Sequence, residues 1–240
     1  MGKQSGSLTS GKVGPLTYYV INGEQYVKSA GPEHIKQTDA TKAKAVQFGN
    51  ASRTAKLIRT AFPALKALSD LKMRNSLTSA LHNWMIYPRG STNGGYTAIP
   101  DLYNYEFNRE VHLLKRLKAP LTTDWNTPGK VIINIPGLSG ASIETPEDVK
   151  FTELWMGLIS CRPGEDTPGN IENISLRIPY KAAVGAQQVE LPLLQETDMI
   201  TIVAAGIRYI LSESSSGSIM YEGDRNWMAG KVLAAVFRKD

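Results

Sequence analysis

The chain has 240 residues, of which 42% are hydrophobic and 20% are charged, and its formal net charge is +5. A chain of this length and composition can bury an ordinary core, as one large domain or two small ones, which excludes a disordered protein. The single cysteine, Cys161, excludes an intramolecular disulfide. Its strand-like surroundings indicate a small buried apolar residue rather than a reactive thiol.

The charge is unevenly distributed along the chain. Residues 1–118 carry 17 Lys and Arg and 7 Asp and Glu, a net charge of +10, whereas residues 119–240 have a net charge of −5. A basic half can bind nucleic acid or acidic lipid headgroups, and it can equally bind the acidic half of a neighbouring copy. We therefore expect a partner that is either another copy or an acidic surface.

The chain begins with a Gly- and Ser-rich segment, and residues 1–15 predict a flexible arm that is either a disordered tail or ordered by a neighbouring subunit. This segment lacks the apolar core of a signal peptide. The longest apolar stretch, 199–211, is too short to cross a bilayer. We expect synthesis in the cytoplasm without a signal peptide and no membrane insertion.

A β-hairpin is predicted after the arm. Residues 16–21 and 24–28 are rich in aromatic and β-branched side chains, and Asn22-Gly23 between them favours a two-residue turn. The turn places Tyr19 opposite Tyr26, Tyr18 opposite Val27 and Ile21 opposite Glu24. Because both faces are partly apolar, the hairpin should dock, either on its own chain or on a neighbouring subunit by strand addition. We assign the candidate self-assembly residues to the two strands: Tyr18, Tyr19, Ile21, Tyr26 and Val27.

A basic amphipathic helix is predicted from the N-cap Asp39 to Pro63. One face of the helix has helical spacing and is apolar after its first member, Lys44. The residues of this stripe are Lys44, Phe48, Ala51, Ala55, Ile58 and Phe62. The opposite side carries Lys42, Arg53 and Lys56, with Arg59 on its flank. These four residues are the candidate contacts for nucleic acid or an acidic partner. A further helical stretch is predicted over 64–85, with a slip in spacing near Asn75-Ser76.

The segments that follow are mainly β. Lys115, Arg116 and Lys118 form a second basic cluster, which we expect to face solvent. From Pro120 onwards, six strands with Gly- and Pro-rich connections predict an antiparallel β-sandwich of immunoglobulin-like type. The predicted class is thus α+β, with a flexible arm (1–15), a hairpin plus helical region (16–118) and a β-sandwich domain (119–240).

No motif for catalysis or for a cofactor is present in the sequence. The three histidines lack metal-ligand spacing, and Ser139 lacks the glycines of a nucleophile elbow. Acidic residues in the sandwich loops raise a calcium- or carbohydrate-binding hypothesis, but solvated loops explain them better. We therefore predict a protein that is not an enzyme and has no cofactor and no metal.

Several short motifs resemble an uncharacterised family of Bacteroidota proteins. They are Gly11-Lys12-Val13-Gly14, Asn22-Gly23, Tyr26-Val27-Lys28-Ser29, a helix starting within 38–51, Thr145-Pro146-Glu147-Asp148 and Ile207-Arg208-Tyr209-Ile210. Lys28 stands where arginine is commoner in that family. The resemblance covers most of the chain and implies no reaction. Members often look like multi-copy or phage-like structural proteins, which implies a place in a virion-like or extracellular assembly.

Together, these observations favour a non-enzymatic structural protein that self-assembles into a homo-oligomer or larger particle through its N-terminal arm and hairpin. The alternative is a nucleic-acid-binding module that uses the basic helix.

Overall fold

The structure, a computed structural model, describes residues 3–5, 8–21, 23–29, 38–93, 95–214 and 219–239. The chain forms two compact units, Met1–Ala43 and Lys44–Asp240. The sequence predicted a division between residues 118 and 119 instead. The boundary differs because the helices after residue 44 bury their apolar faces in the same core as the C-terminal strands.

The first unit contains a meander of four antiparallel strands. They are β1 (Lys3–Ser5), β2 (Leu8–Val13), β3 (Leu16–Ile21) and β4 (Glu24–Ser29), in the order β1-β2-β3-β4. The predicted arm is therefore corrected for residues 3–5 and 8–13. Gly14 has a φ of +57° in the turn that returns the chain, so that Val13 pairs with Leu16 and Gly11 with Tyr18. Backbone pairing forms these strands, and composition gives little sign of it.

The helices in the described part of the chain are α1 (Asp39–Ala61), a 3-10 helix (Pro63–Leu68), α2 (Leu71–Ile86) and α3 (Leu113–Arg116). The prediction of α1 is confirmed, including its end before Pro63, but its N-cap is Thr38 rather than Asp39, because the Thr41 amide donates to the Thr38 hydroxyl. The second helical stretch is indeed divided, but at residues 69–70 rather than 75–76. The Asp70 side chain accepts a hydrogen bond from the Met73 amide and starts α2 there as an N-cap.

The second unit has two antiparallel sheets. Its strands are β5 (Thr92–Asn93), β6 (Tyr96–Ala98), β7 (Thr122–Asp124), β8 (Lys130–Ile135), β9 (Phe151–Cys161), β10 (Asn170–Pro179), β11 (Gln187–Pro192), β12 (Met199–Glu213), β13 (Ile219–Tyr221) and β14 (Ala229–Arg238). The large sheet has the order β10-β9-β12-β14-β6-β5, with β13 beside β12, and the small sheet has the order β11-β8-β7. All six strands predicted after residue 120 are present.

The large sheet is covered on both faces. Trp155 and Ile202 point to a core shared with α1, the 3-10 helix and α2, whereas Leu154 and Val203 point to a core shared with the small sheet. Strands with both faces buried need apolar residues at consecutive positions, which is why β9 and β12 read as long apolar runs. The α+β class with antiparallel sheets is confirmed. The immunoglobulin-like form of the sandwich stays a prediction.

Among the residues that the structure describes, no helix combines the length and hydrophobicity needed to span a bilayer.

Candidate functional site

The predicted self-assembly residues lie on β3 and β4 in the predicted register. Tyr19 faces Tyr26, Tyr18 faces Val27 and Ile21 faces Glu24. The rings of Tyr19 and Tyr26 stack with centroids 5.7 Å apart and an interplanar angle of 19°. Gly23 supplies a positive φ of +85° in the turn, while Asn22 lies outside the described residues. The alternation of side chains along two strands was sufficient to predict these pairs.

Both faces of this hairpin carry exposed apolar side chains. On one face Ile21 is 50% exposed and Tyr26 is 42% exposed, and on the other Val27 is 49% exposed. Tyr18 is half-buried, and every residue of β4 is exposed. In the described ranges of the chain, β4 is also the last strand of its sheet. A terminal strand offers unpaired N–H and C=O groups, so this hairpin presents both an apolar surface and an open sheet edge.

Polar groups surround the stacked tyrosines. The Tyr26 hydroxyl donates a hydrogen bond of 2.8 Å to the Glu24 carboxylate, an interaction that raises the pKa of Tyr26. The Lys28 ammonium lies 5.8 Å from the centre of the Tyr19 ring. One face of β4 therefore carries an acid, a phenol and a base at consecutive positions along that face, namely Glu24, Tyr26 and Lys28.

The predicted basic residues are placed on α1 with different degrees of exposure. Lys42 is exposed and pairs with Asp39 at 3.2 Å. Arg53 and Lys56 are exposed, and the Arg53 guanidinium donates to the Asn50 side chain at 2.7 Å. Arg59 is half-buried and donates to the Ala55 carbonyl at 3.2 Å. Burial, followed by the charge of Arg74, lowers the pKa of Arg59.

Two partly buried clusters of charged side chains lie in the second unit. In the first, Glu153 on β9 forms an ion pair with Arg208 on β12, and the Arg208 guanidinium lies 3.9 Å from the centre of the Tyr221 ring. Burial alone would raise the pKa of Glu153, but the hydrogen bond and charge of Arg208 outweigh it and hold that pKa below its usual value. The carboxylate is therefore ionised and already paired. Arg208 within an apolar run was the sequence signal for this cluster.

The second cluster is centred on Arg116, which was predicted to face solvent. Its side chain is buried, pairs with the Glu144 carboxylate at 2.7 Å and donates to the Asn226 carbonyl. The guanidinium lies 4.0 Å from the centre of the Trp227 ring. The prediction was wrong for Arg116 because its partners lie in distant segments of the chain, which a local charge cluster does not reveal.

In both clusters the carboxylate is paired with a guanidinium, and the Ser175 and Tyr221 side chains also hydrogen-bond to Glu153. Burial raises the pKa of the Cys161 thiol to about 12, so this thiol stays protonated at neutral pH. Within the described part of the chain, no group of three or more His, Cys, Asp or Glu side chains is arranged to hold a metal ion.

Some clefts of the second unit contain charged side chains, such as Glu153 and Arg208, and others are lined by neutral side chains. One of about 400 Å³ lies beside Tyr96 and Trp125, whose ring centroids are 6.0 Å apart, with Asn126 and Gln195 in its wall. Arg238, beside Tyr96, donates to Gln195. This cleft offers aromatic and amide surfaces for contact, without an acid or base suited to catalysis.

Comparisons of the chain with protein-family models, with curated proteins and with solved structures found no match. The resemblance to a Bacteroidota family therefore stays a prediction.

Proposed function

We propose that this protein is a non-enzymatic structural protein that assembles with copies of itself through its N-terminal sheet. The observation that carries this proposal is the hairpin of β3 and β4, which is apolar and exposed on both faces and ends in an open edge. Self-association would cover this surface and would also satisfy the unpaired backbone groups of β4.

The energetic case rests on the exposed side chains. Fully burying one Ile, Val or aromatic side chain is worth about 1.5–3 kcal/mol. Val20, Ile21, Tyr26 and Val27 are each 39% to 50% exposed, so covering one of them is worth at most about half of that amount, and covering all four about twice it, before the cost of association. The opposite net charges of the two halves of the chain would add attraction between copies in larger assemblies. A virion-like particle, which the sequence resemblance implies, is part of this proposal.

Deleting residues 1–30 tests the proposal. The second unit keeps its own core of helices and sheets, so the shortened chain is expected to fold. Light scattering of the intact chain should give a mass that is a multiple of 26.3 kDa and persists in high salt. The shortened chain should be a monomer, and its circular dichroism spectrum should still show the helices and strands of the second unit. An intact chain that stays monomeric, or a shortened chain that assembles equally, would overturn the proposal.

A second candidate function is nucleic-acid binding through α1. The observation in its favour is that Arg53 and Lys56 are exposed and three residues apart on one helix, where they are neighbours.

Reversing both charges, with Arg53→Glu and Lys56→Glu, tests this second candidate. Duplex DNA or RNA should bind the unaltered chain with an affinity that falls steeply with salt, and the doubly substituted chain should lose most of that binding. A matched control reverses Lys130 on β8 and Arg177 on β10. Binding that is insensitive to salt, or lost equally in the control, would contradict this function.

A further inference from the structure

The face of β4 that carries Tyr26 has a self-complementary pattern of charge. Residues 24–28 read Glu-Gln-Tyr-Val-Lys, so Glu24 and Lys28 lie at equal distances on either side of Tyr26. If this strand meets a second copy of itself in antiparallel orientation about Tyr26, each Glu24 faces the Lys28 of the other copy. The arrangement is two-fold symmetric, as in most homodimers.

The backbone of β4 allows this register. The loop between β3 and β4 has two residues, so Ile21 and Glu24 form a hydrogen-bonded pair and residues 24, 26 and 28 direct their backbone groups toward β3. The N–H and C=O groups of Gln25 and Val27 therefore point outward from the sheet. In the register about Tyr26, Gln25 of one copy lies opposite Val27 of the other. All the outward groups of these two residues would then be paired.

The side chains on this face also suit the pairing. Tyr26 would face Tyr26 of the second copy at a position without backbone hydrogen bonds, where Cα atoms are about 4.5 Å apart and side chains approach most closely. Because Tyr19 already stacks on Tyr26, the paired sheets would carry four neighbouring tyrosines. The Glu24 carboxylate accepts one hydrogen bond from Tyr26 and keeps lone pairs for a lysine.

Features that usually protect an open edge are missing from β4. Its register with β3 runs from Glu24 to Ser29 without a bulge, and it contains no proline. Lysine often protects such edges against strand pairing. In the two-fold register, however, Lys28 lies across from Glu24 of the second copy. Its charge would therefore favour this register, rather than oppose strand pairing in every register.

From these observations we infer that β4 is the dimer contact of this protein, pairing antiparallel with β4 of a second copy about Tyr26 so that two four-stranded sheets become one of eight strands. This inference rests on the proposed self-assembly and specifies its contact surface. The occupant of the edge is a second copy because the strand supplies its own complementary charges.

Charge swaps on the full chain test the register. Sedimentation over a range of concentrations should give a dimer dissociation constant that rises about tenfold for Lys28→Glu and for Glu24→Lys, since each change places two like-charged pairs across the edge. The chain with both changes again places two oppositely charged pairs across the edge. Its dissociation constant should return to within about twofold of the original value. Lys44→Glu, an equal charge change on the exposed part of α1, serves as the control and should have no effect.

Cysteine cross-linking gives a second readout. Tyr26→Cys should form a disulfide-linked dimer under mild oxidation, because the two residues would face each other. Val27→Cys should not, because it would face Gln25. The native Cys161 is 0% exposed and will not interfere.

The outcomes separate this inference from the proposed function. Deletion of residues 1–30 could abolish assembly while the chain with both charge changes dimerises no more tightly than the chains with one. In that case self-assembly stands and the β4 register is overturned. Cross-linking of Val27→Cys in preference to Tyr26→Cys would overturn it as well. An intact chain that is a monomer at every concentration would overturn both.

Discussion

Replacing Phe62 with alanine is expected to lower the free energy of unfolding by about 4 kcal/mol. Phe62 is 0% exposed, and its ring centroid lies 5.9 Å from that of Trp155. It joins the end of α1 to the central strand β9, so truncation leaves a cavity between the helices and the large sheet. Because both sides of that cavity are held by other core residues, little collapse can compensate.

The matched control for this prediction is Phe48→Ala. Phe48 belongs to the same predicted apolar stripe of α1, but it is 52% exposed and its aromatic contact is an edge-on approach to His82. We expect a loss of less than about 1 kcal/mol at this site. Urea unfolding followed by circular dichroism and by tryptophan fluorescence measures both changes. Equal losses for the two variants would contradict the placement of the helix in the core.

The comparison of these two phenylalanines shows how far periodicity can predict packing. The spacing predicted a helix and one apolar face, and Ala51, Ala55, Ile58 and Phe62 are indeed buried. It could not show that Lys44 and Phe48 remain exposed. Periodicity shows which side of a helix is apolar. How much of that side is buried depends on the rest of the fold.

Local pairing was predictable for similar reasons. A two-residue turn fixes the register of a hairpin, so the cross-strand pairs of Tyr19 and Tyr26 followed from the sequence. The strands β1 and β2 were missed because Gly, Ser and Lys side chains give no alternation, and their order comes from the backbone pairing of β1 with β2 and of β2 with β3. The candidate assembly surface was therefore half predictable: its apolar residues were identified, but its four-stranded sheet was not.

Contacts between distant segments were beyond sequence reasoning. The bond from Arg116 to the Asn226 carbonyl joins residues 110 positions apart, and the Arg208 pair joins β12 to β9. A charge in an apolar strand indicates that a partner must exist, because an unpaired buried charge is costly. It does not say which residue the partner is. For the same reason, the sequence did not predict that the helices and the C-terminal strands form one unit.

Replacing Arg116 with alanine is expected to lower the free energy of unfolding by about 3 kcal/mol. The buried guanidinium pairs with Glu144, donates to the Asn226 carbonyl and stacks on Trp227, so it ties α3 to two separate loops. Glu144 is 41% exposed at its side chain and can regain water, which places the loss at the lower end for a broken buried pair. Urea unfolding with tryptophan fluorescence reports on both stability and the Trp227 environment.

Two further variants separate charge from geometry at this position. Arg116→Lys keeps the positive charge but loses the planar fork that reaches Glu144 and Asn226 together, so it should recover less than half of the loss. Arg177→Ala removes an arginine whose ion pair with Glu213 is exposed on both sides, and it should cost less than about 1 kcal/mol. If Arg177→Ala were as destabilising as Arg116→Ala, burial would not distinguish the two ion pairs. Full recovery by lysine would mean that charge alone, rather than the stacked and forked geometry, holds α3 against the loops.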